Sequence, residues 1–124
     1  MGRLTPAGLL TLARPGELLS RTERMLDDAS RVLRIVYALN RVWQPTPKRL
    51  ANRVASLAVK PARLAERIEE ALSESDPRRA LLVMTELQSE TAALVPDGPN
   101  VNRARRWLSA GAALLSSSQG RSTK

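Results

Sequence analysis

Apolar residues recur at helical spacing along most of this 124-residue chain, and the pattern predicts an all-α fold. The longest amphipathic segment runs from Glu17 to Trp43. At about 100° per residue its predicted buried face carries Leu18, Thr22, Met25, Leu26, Ala29, Leu33, Val36, Asn40 and Trp43. The predicted solvent face carries Glu17, Arg21, Arg24, Asp28 and Arg31. After Arg34, Ile35 and Val42 place apolar side chains on this polar side, which predicts a second contact surface inside this domain or with another one.

Proline residues separate the other helical segments. Thr5-Pro6 predicts a short helix that ends before Pro15-Gly16, and Thr46-Pro47 and Asp76-Pro77 each combine an N-cap with a first helical position. No stretch alternates with the period of two that is typical of strands. We therefore predict a single-domain bundle of five or six helices with short proline-marked elbows, divided into an N-terminal segment 1–15, a helical domain 16–115 and a disordered tail 116–124.

Composition agrees with a helical core and removes several kinds of chemistry. The chain has no Phe, so its core is built from aliphatic and small side chains. It has no Cys and no His, which excludes disulfides, thiolate nucleophiles and imidazole bases, and we predict no metal and no cofactor. No apolar run approaches the ~20 residues of a membrane span. A cytoplasmic location, with no membrane partner, is the simplest interpretation.

Positive charge is concentrated in the first half of the chain. The net charge is +8, and residues 1–60 hold 11 cations against 4 acids, whereas residues 61–124 hold 9 against 8. Such an excess favours an anionic partner, such as a nucleotide, a nucleic acid or an acidic protein surface. Arginine that merely solvates helix faces would produce the same numbers, so both interpretations stay open.

The acidic residues do not form a catalytic pattern. Asp27 and Asp28 are adjacent on a helix, so their side chains diverge by about 100°, and arginine neighbours at helical spacing indicate a salt network instead. Glu86 and Glu90 lie at i,i+4 spacing without a histidine beside them, which is typical of surface carboxylates. We therefore lean towards a chain without catalytic activity.

The elbow after the long helix concentrates the candidate binding residues. Asn40 falls on an otherwise apolar face, where it either caps the elbow near Pro45–Pro47 or presents its amide to a ligand. Trp43 is either a packing residue or a stacking platform. Lys48 and Arg49 fall in the first turn of the next helix, where cations oppose the helix dipole, so an anion nearby is expected.

The same segment carries a family resemblance. The string Tyr37-x-Leu39-Asn40-Arg41-x-Trp43-x-Pro45-x-x-Lys48-Arg49 resembles a segment in the helical domain of bacterial nucleotidyltransferase-like proteins, of the aminoglycoside adenylyltransferase-like kind. In such proteins an α/β domain holds magnesium and the nucleotide with a Gly-Ser turn and an Asp-x-Asp pair. Neither motif occurs in this chain. The resemblance thus implies the helical half alone, which helps to form the acceptor-substrate cleft against the catalytic half.

These observations lead to one expected function and two alternatives. We expect a non-catalytic helical domain that binds an anionic ligand, a nucleotide or a partner α/β domain through Tyr37, Asn40, Arg41, Trp43, Lys48 and Arg49. One alternative is a small basic DNA-binding regulator, because the segment around Leu50 and Val59–Ala65 resembles a helix-turn-helix, although Glu66, Glu69 and Glu70 would repel phosphates. The other is an interaction module that forms a homodimer through the apolar face around Ile35 and Val42. Whether Met1 begins the natural protein or a fragment of a longer enzyme is left open.

Overall fold

The computed structural model describes residues 6–43 and 50–122, which form six α-helices and no strand. In chain order the helices are α1 (Pro6–Leu12), α2 (Leu18–Leu39), α3 (Leu50–Ala55), α4 (Leu64–Ser73), α5 (Pro77–Leu94) and α6 (Pro99–Ser122). The prediction of an all-α bundle of five or six helices is confirmed over these ranges. None of the six helices combines the length and the apolar content that crossing a membrane requires.

Local signals in the sequence set the start of α5 and the break between α1 and α2. Asp76 is the N-cap of α5, where its carboxylate accepts a hydrogen bond from the backbone N–H of Arg78 at 3.2 Å, and Pro77 takes the first helical position. Gly16 adopts φ +90° between α1 and α2, a conformation that glycine adopts without steric cost. These breaks lie where the proline and glycine positions predicted them.

Helix α5 is the centre of the bundle. It contacts α1, α2, α4 and α6, and its Leu81, Met84 and Leu87 are almost fully buried. Thr85 and Thr91 are also buried, and each hydroxyl donates to the backbone carbonyl four residues earlier, at 2.7 and 2.8 Å. The polar atoms are thus satisfied inside the helix, so the side chains pack as apolar residues do.

Helix α1 lies in the channel between α2 and α6. The buried Leu9 meets α6 at Gly111, where an added Cβ would lie 2.8 Å from Leu9 Cδ1. At the other end of α1, the Arg21 guanidinium donates to the Leu12 carbonyl at 2.8 Å. Glycine therefore permits the close approach of α1 to α6, and arginine satisfies a carbonyl at the C-terminus of α1.

The buried face of α2 differs from the predicted one. Met25, Ala29, Leu33 and Val36 are buried as expected, whereas Leu18, Thr22, Leu26 and Trp43 are exposed. Arg21 and Asp28 were predicted to face solvent, and they are only 8% and 4% exposed. Arg21 is buried because its guanidinium donates a hydrogen bond to the Leu12 carbonyl at the C-terminus of α1. The i,i+4 pair between Glu17 and Arg21 that the spacing suggests is not among the described ion pairs, because Arg21 binds backbone instead.

Two helix ends also differ from the prediction. Helix α2 ends at Leu39 rather than near Trp43, and α6 starts at Pro99 rather than at Val101. Proline can open a helix because the first helical position needs no backbone N–H donor. The last helical residue of α6 is Ser122.

Asp28 is a buried carboxylate with incomplete hydrogen bonding. Arg24 Nε lies 3.2 Å from Oδ1 and donates to Oδ2 at 3.3 Å, but Oδ1 accepts no hydrogen bond within the described part of the chain. Burial raises the pKa of Asp28 above its usual value, and the charge of Arg24 opposes this rise. The folded chain therefore holds this proton more tightly than the unfolded chain does.

We expect Asp28 to make stability depend on pH. Its contribution is fully present below the unfolded-state pKa of about 3.9 and is lost as the pH rises through the raised folded-state pKa. Relative to Asp28→Asn, the wild type should thus be most stable below pH 4 and become relatively less stable as the pH rises from there. Urea denaturation of both proteins across this range measures the difference. Asp27→Asn is the exposed control, and a wild-type advantage over Asp28→Asn that grows with pH would contradict the burial argument.

Candidate functional site

The end of α2 is a complete Schellman motif with an arginine at its left-handed position. The Arg41 N–H donates to the Ala38 carbonyl at 3.0 Å, and the Val42 N–H donates to the Tyr37 carbonyl at 3.0 Å. Arg41 itself has φ +54°. Glycine is the usual residue at this position, because a Cβ clashes in the left-handed conformation.

Asn40 joins the end of α2 to the loop before α4. Its side-chain Nδ2 donates to the carbonyls of Val36 and Val59 at 2.8 and 2.7 Å, and its Oδ1 accepts from the Val59 N–H at 2.9 Å. Both amide hydrogens are therefore used. Of the two roles considered for Asn40, the geometry supports structural bridging, with Val36 and Val59 as its partners among the described residues. The elbow near Pro45–Pro47 lies outside the described residues.

The other predicted binding residues have different surroundings. Tyr37 is 4% exposed and belongs to the core, so it offers no surface to a ligand. Arg41 is exposed, and Trp43 is 92% exposed. Lys48 and Arg49 lie outside the described residues. Of the six predicted residues, Arg41 and Trp43 are thus the ones whose surfaces are open to a partner in the described structure.

An apolar groove of about 440 Å³ opens beside this helix end. Its lining comes from the C-terminal ends of α2 and α5 and from the start of α6: Ile35, Ala38, Leu39, Ala92, Val95, Asn100, Val101 and Ala104. Seven of these side chains are apolar and one is an amide, so the surface offers mainly apolar contact. A groove of this size falls within the range of ligand and peptide sites.

The groove exists because α2 and α6 both pack on α5 without contacting each other in the described structure. Ala38, Ala92 and Ala104 face this space, and a methyl group is too small to fill it. Towards the N-terminus of α2, helix α1 fills the gap between α2 and α6. Towards the C-terminus of α2, no described element of this chain covers it.

Arg105 fixes the floor of the groove. Its guanidinium donates to the Ala92 carbonyl through Nε and Nη2 at 3.1 and 3.0 Å, and to the Val95 carbonyl at 2.6 Å. It also forms an ion pair with Asp97. Ala92 and Val95 both line the groove, so the start of α6 holds their backbone in place and the floor is preformed.

Sequence reasoning located one edge of this site and missed the rest. Ile35 was noted because it is apolar on a polar face, and it lines the groove. Val95 and Val101 have the helical periodicity of core positions, and nothing in the sequence distinguishes Ala38 from other small helical residues. Their periodicity is the same whether a helix face meets the core or a groove, so the sequence pattern contains no signal that separates the two.

No cluster suited to a metal ion occurs in the described ranges, where three or more acidic side chains never converge. Comparison with protein-family models, curated proteins and solved structures found no match to this chain. The resemblance of segment 37–49 to the nucleotidyltransferase helical half thus stays a hypothesis.

We expect Asn40→Ala to loosen the loop that contains Val59. The substitution removes both hydrogen bonds to Val59 and should lower the free energy of unfolding by about 1 kcal/mol. The Val59 amide should lose its protection from hydrogen exchange, which NMR measures directly. Asn52→Ala, on the exposed side of α3, is the control and should change neither quantity. Unchanged protection at Val59 would refute the bridging role.

Replacement of Arg41 by glycine should stabilise the fold. The left-handed conformation costs a residue with a Cβ about 1–2 kcal/mol, and the greater freedom of glycine in the unfolded chain offsets about 0.4–1 kcal/mol of that gain. We expect a net gain of about 0.5–1 kcal/mol in urea denaturation. Arg34→Gly inside α2 is the matched control and should destabilise by about 1 kcal/mol. A loss of stability in both variants would show that Arg41 makes contacts that outweigh its strain.

Proposed function

We propose that this chain is a non-catalytic helical domain that binds a partner protein in the groove between α2, α5 and α6. The observation that carries the proposal is an apolar groove formed by the ends of α2 and α5 and the start of α6. Apolar area of this kind gains free energy when it is covered, at roughly 25 cal/mol per Å² removed from water. The lining offers apolar contact and one amide, which suits binding rather than bond-making chemistry.

Two exposed apolar residues follow the end of α2, next to the groove-lining residue Leu39 in the sequence. Val42 follows Leu39 by three residues and is 47% exposed, and the adjacent Trp43 is almost completely exposed. Tryptophan is enriched among the residues that contribute most to protein–protein binding, because one side chain supplies a large rigid area. The position of Trp43 supports its predicted role in partner contact, and a packing role within the described structure has no support.

The family resemblance supports the same class of function. In nucleotidyltransferase-like proteins the helical half lies against a second domain and acts together with it. A chain that resembles this half alone is accordingly proposed to bind a separate partner, for which an α/β domain is one candidate.

A DNA-binding function receives no comparable support. Helix α4, which would be the recognition helix, exposes Glu66, Glu69 and Glu70. Its Arg67 donates two hydrogen bonds to Glu90, at 2.7 and 2.6 Å, so its charge is already neutralised. This bidentate bond also lowers the pKa of Glu90, so both partners stay ionised and the pair has no net charge to attract phosphate.

Site-specific photo-crosslinking tests the proposal. We would place benzoylphenylalanine at Ala38 in the groove and, as a matched control, at Glu69 on the exposed side of α4, in the full chain inside the cells it comes from. A discrete cross-linked protein is expected from position 38 and not from position 69.

Two features of the result decide the outcome. The product from position 38 should disappear when Ala104→Arg places a charge in the opposite wall of the groove, while circular dichroism shows that the fold is kept. Absence of a product, or equal products from both positions, would refute partner binding in the groove.

A further inference from the structure

The channel that contains the groove already binds one helix of this chain. Helix α1 contacts α2, α5 and α6, and the same three helices line the groove. Along α2 the hydrogen bond to α1 is made by Arg21, and the groove begins at Ile35, which is 14 residues or about 21 Å further on. The groove thus continues a channel shaped for a helix, and no residue within 6–43 or 50–122 covers it. A helix that fills such a channel presents apolar residues at i, i+3, i+4 and i+7 spacing.

Basic side chains border the groove on both walls. Arg34 precedes Ala38 by four residues on α2, and Arg103 follows Asn100 by three on α6, so both lie beside lining residues. Arg41 is two residues beyond Leu39. We call Arg34, Arg41 and Arg103 the basic rim. All three are exposed, and none forms an ion pair with any residue that the structure describes.

Nearby acids do not neutralise the basic rim. Asp27 is paired with Arg31 at 3.1 Å, and Asp97 is paired with Arg105. The lining itself contains no carboxylate. A ligand in the groove therefore meets an apolar floor and a positive border, and acidic residues along its flanks would be attracted while basic ones would be repelled.

The backbone at Arg41 is left-handed, a conformation that favours glycine, and Arg63 before α4 shares it away from the groove. The conformation therefore does not by itself identify the groove, and Arg41 bears on binding through its exposed charge beside the end of α2. An acidic group on a partner would pair with that charge.

A second copy of this chain fits the groove poorly. Each copy has a net charge of +8 and would bring its own basic rim to a symmetric contact. Like charges held together at an interface oppose binding. A nucleic-acid strand would satisfy the charges but leave the apolar floor without apolar contacts.

We infer that the groove binds an amphipathic helix of a partner protein, with apolar residues on one face and acidic residues along both flanks. This inference rests on the proposed function and adds the chemistry of the partner to it. The apolar face packs between α2 and α6 in line with α1. The acidic flanks pair with Arg34 and Arg41 on one wall and with Arg103 on the other.

A selection experiment tests this inference without a known partner. The probe is a displayed library of 14-residue helical peptides with apolar residues fixed at i, i+3 and i+7 and all flanking positions randomised. It is selected against the full wild-type chain and, separately, against Arg34→Glu/Arg103→Glu. Enriched peptides are then synthesised, and their dissociation constants are measured by fluorescence anisotropy.

Three further variants make the result specific. Ala38→Trp and Ala104→Trp fill the groove from opposite walls, so one remains informative if the other does not fold. Arg14→Glu/Arg106→Glu makes the same charge change at exposed arginines that do not border the groove. We expect acidic flanks from the wild-type selection and basic flanks from the rim-reversed one. Peptides selected on the wild type should bind the rim-reversed variant about tenfold more weakly, bind the control variant nearly unchanged, and lose binding to the filled variants.

The possible failures separate the two proposals. Enrichment without acidic flanks, or equal binding to the rim-reversed variant, would overturn the acidic partner while groove-filling variants still abolish binding. Peptides that bind the filled variants as well as the wild type, or a selection that enriches nothing, would overturn both the partner chemistry and the proposed function.

Discussion

The packing of the bundle around α5 is the interaction on which the rest of the structure depends. This helix contacts α1, α2, α4 and α6, and its Leu81, Met84 and Leu87 have almost no exposed surface. Each buried side chain of this size contributes about 1.5–3 kcal/mol by leaving water, which is large against the net stability of a small domain. The positions of α2 and α6 are therefore set by how they pack on α5.

This arrangement has a consequence at the surface. Two helices that both pack on a third need not pack on each other, and the space between them has to be filled. Near Gly111 the space is filled by α1, whose Leu9 enters the room that glycine leaves. Near Ala38 and Ala104 the side chains are too short to close it. The chain has no phenylalanine, and its helices meet through small and aliphatic residues. Such residues allow the close contact at Gly111 and leave the groove open at Ala38 and Ala104.

The end of α2 shows how stability and a surface suited to binding are combined. Asn40 satisfies backbone groups of Val36 and Val59 with one amide, and thereby holds the helix end rigidly against the loop. Arg41 then turns the chain away in a conformation that a glycine would adopt at lower cost. Val42 and Trp43 emerge from this turn as exposed apolar residues. The surface proposed to bind a partner therefore begins next to a helix end that is hydrogen-bonded to a distant loop.

Local sequence determined the helices and most of their boundaries. Capping and helical periodicity act over a few residues, which is why Asp76-Pro77 starts α5 and Gly16 separates α1 from α2 as the sequence predicted. The tertiary structure decided which side of α2 is buried around Arg21, because the covering carbonyl belongs to α1. It also decided that Asn40 pairs with Val59, 19 residues away, and that Ile35 and Ala104 face the same groove. These outcomes depend on how whole helices are placed against one another, and an apolar residue has the same helical periodicity whether a neighbouring helix covers it or leaves it open.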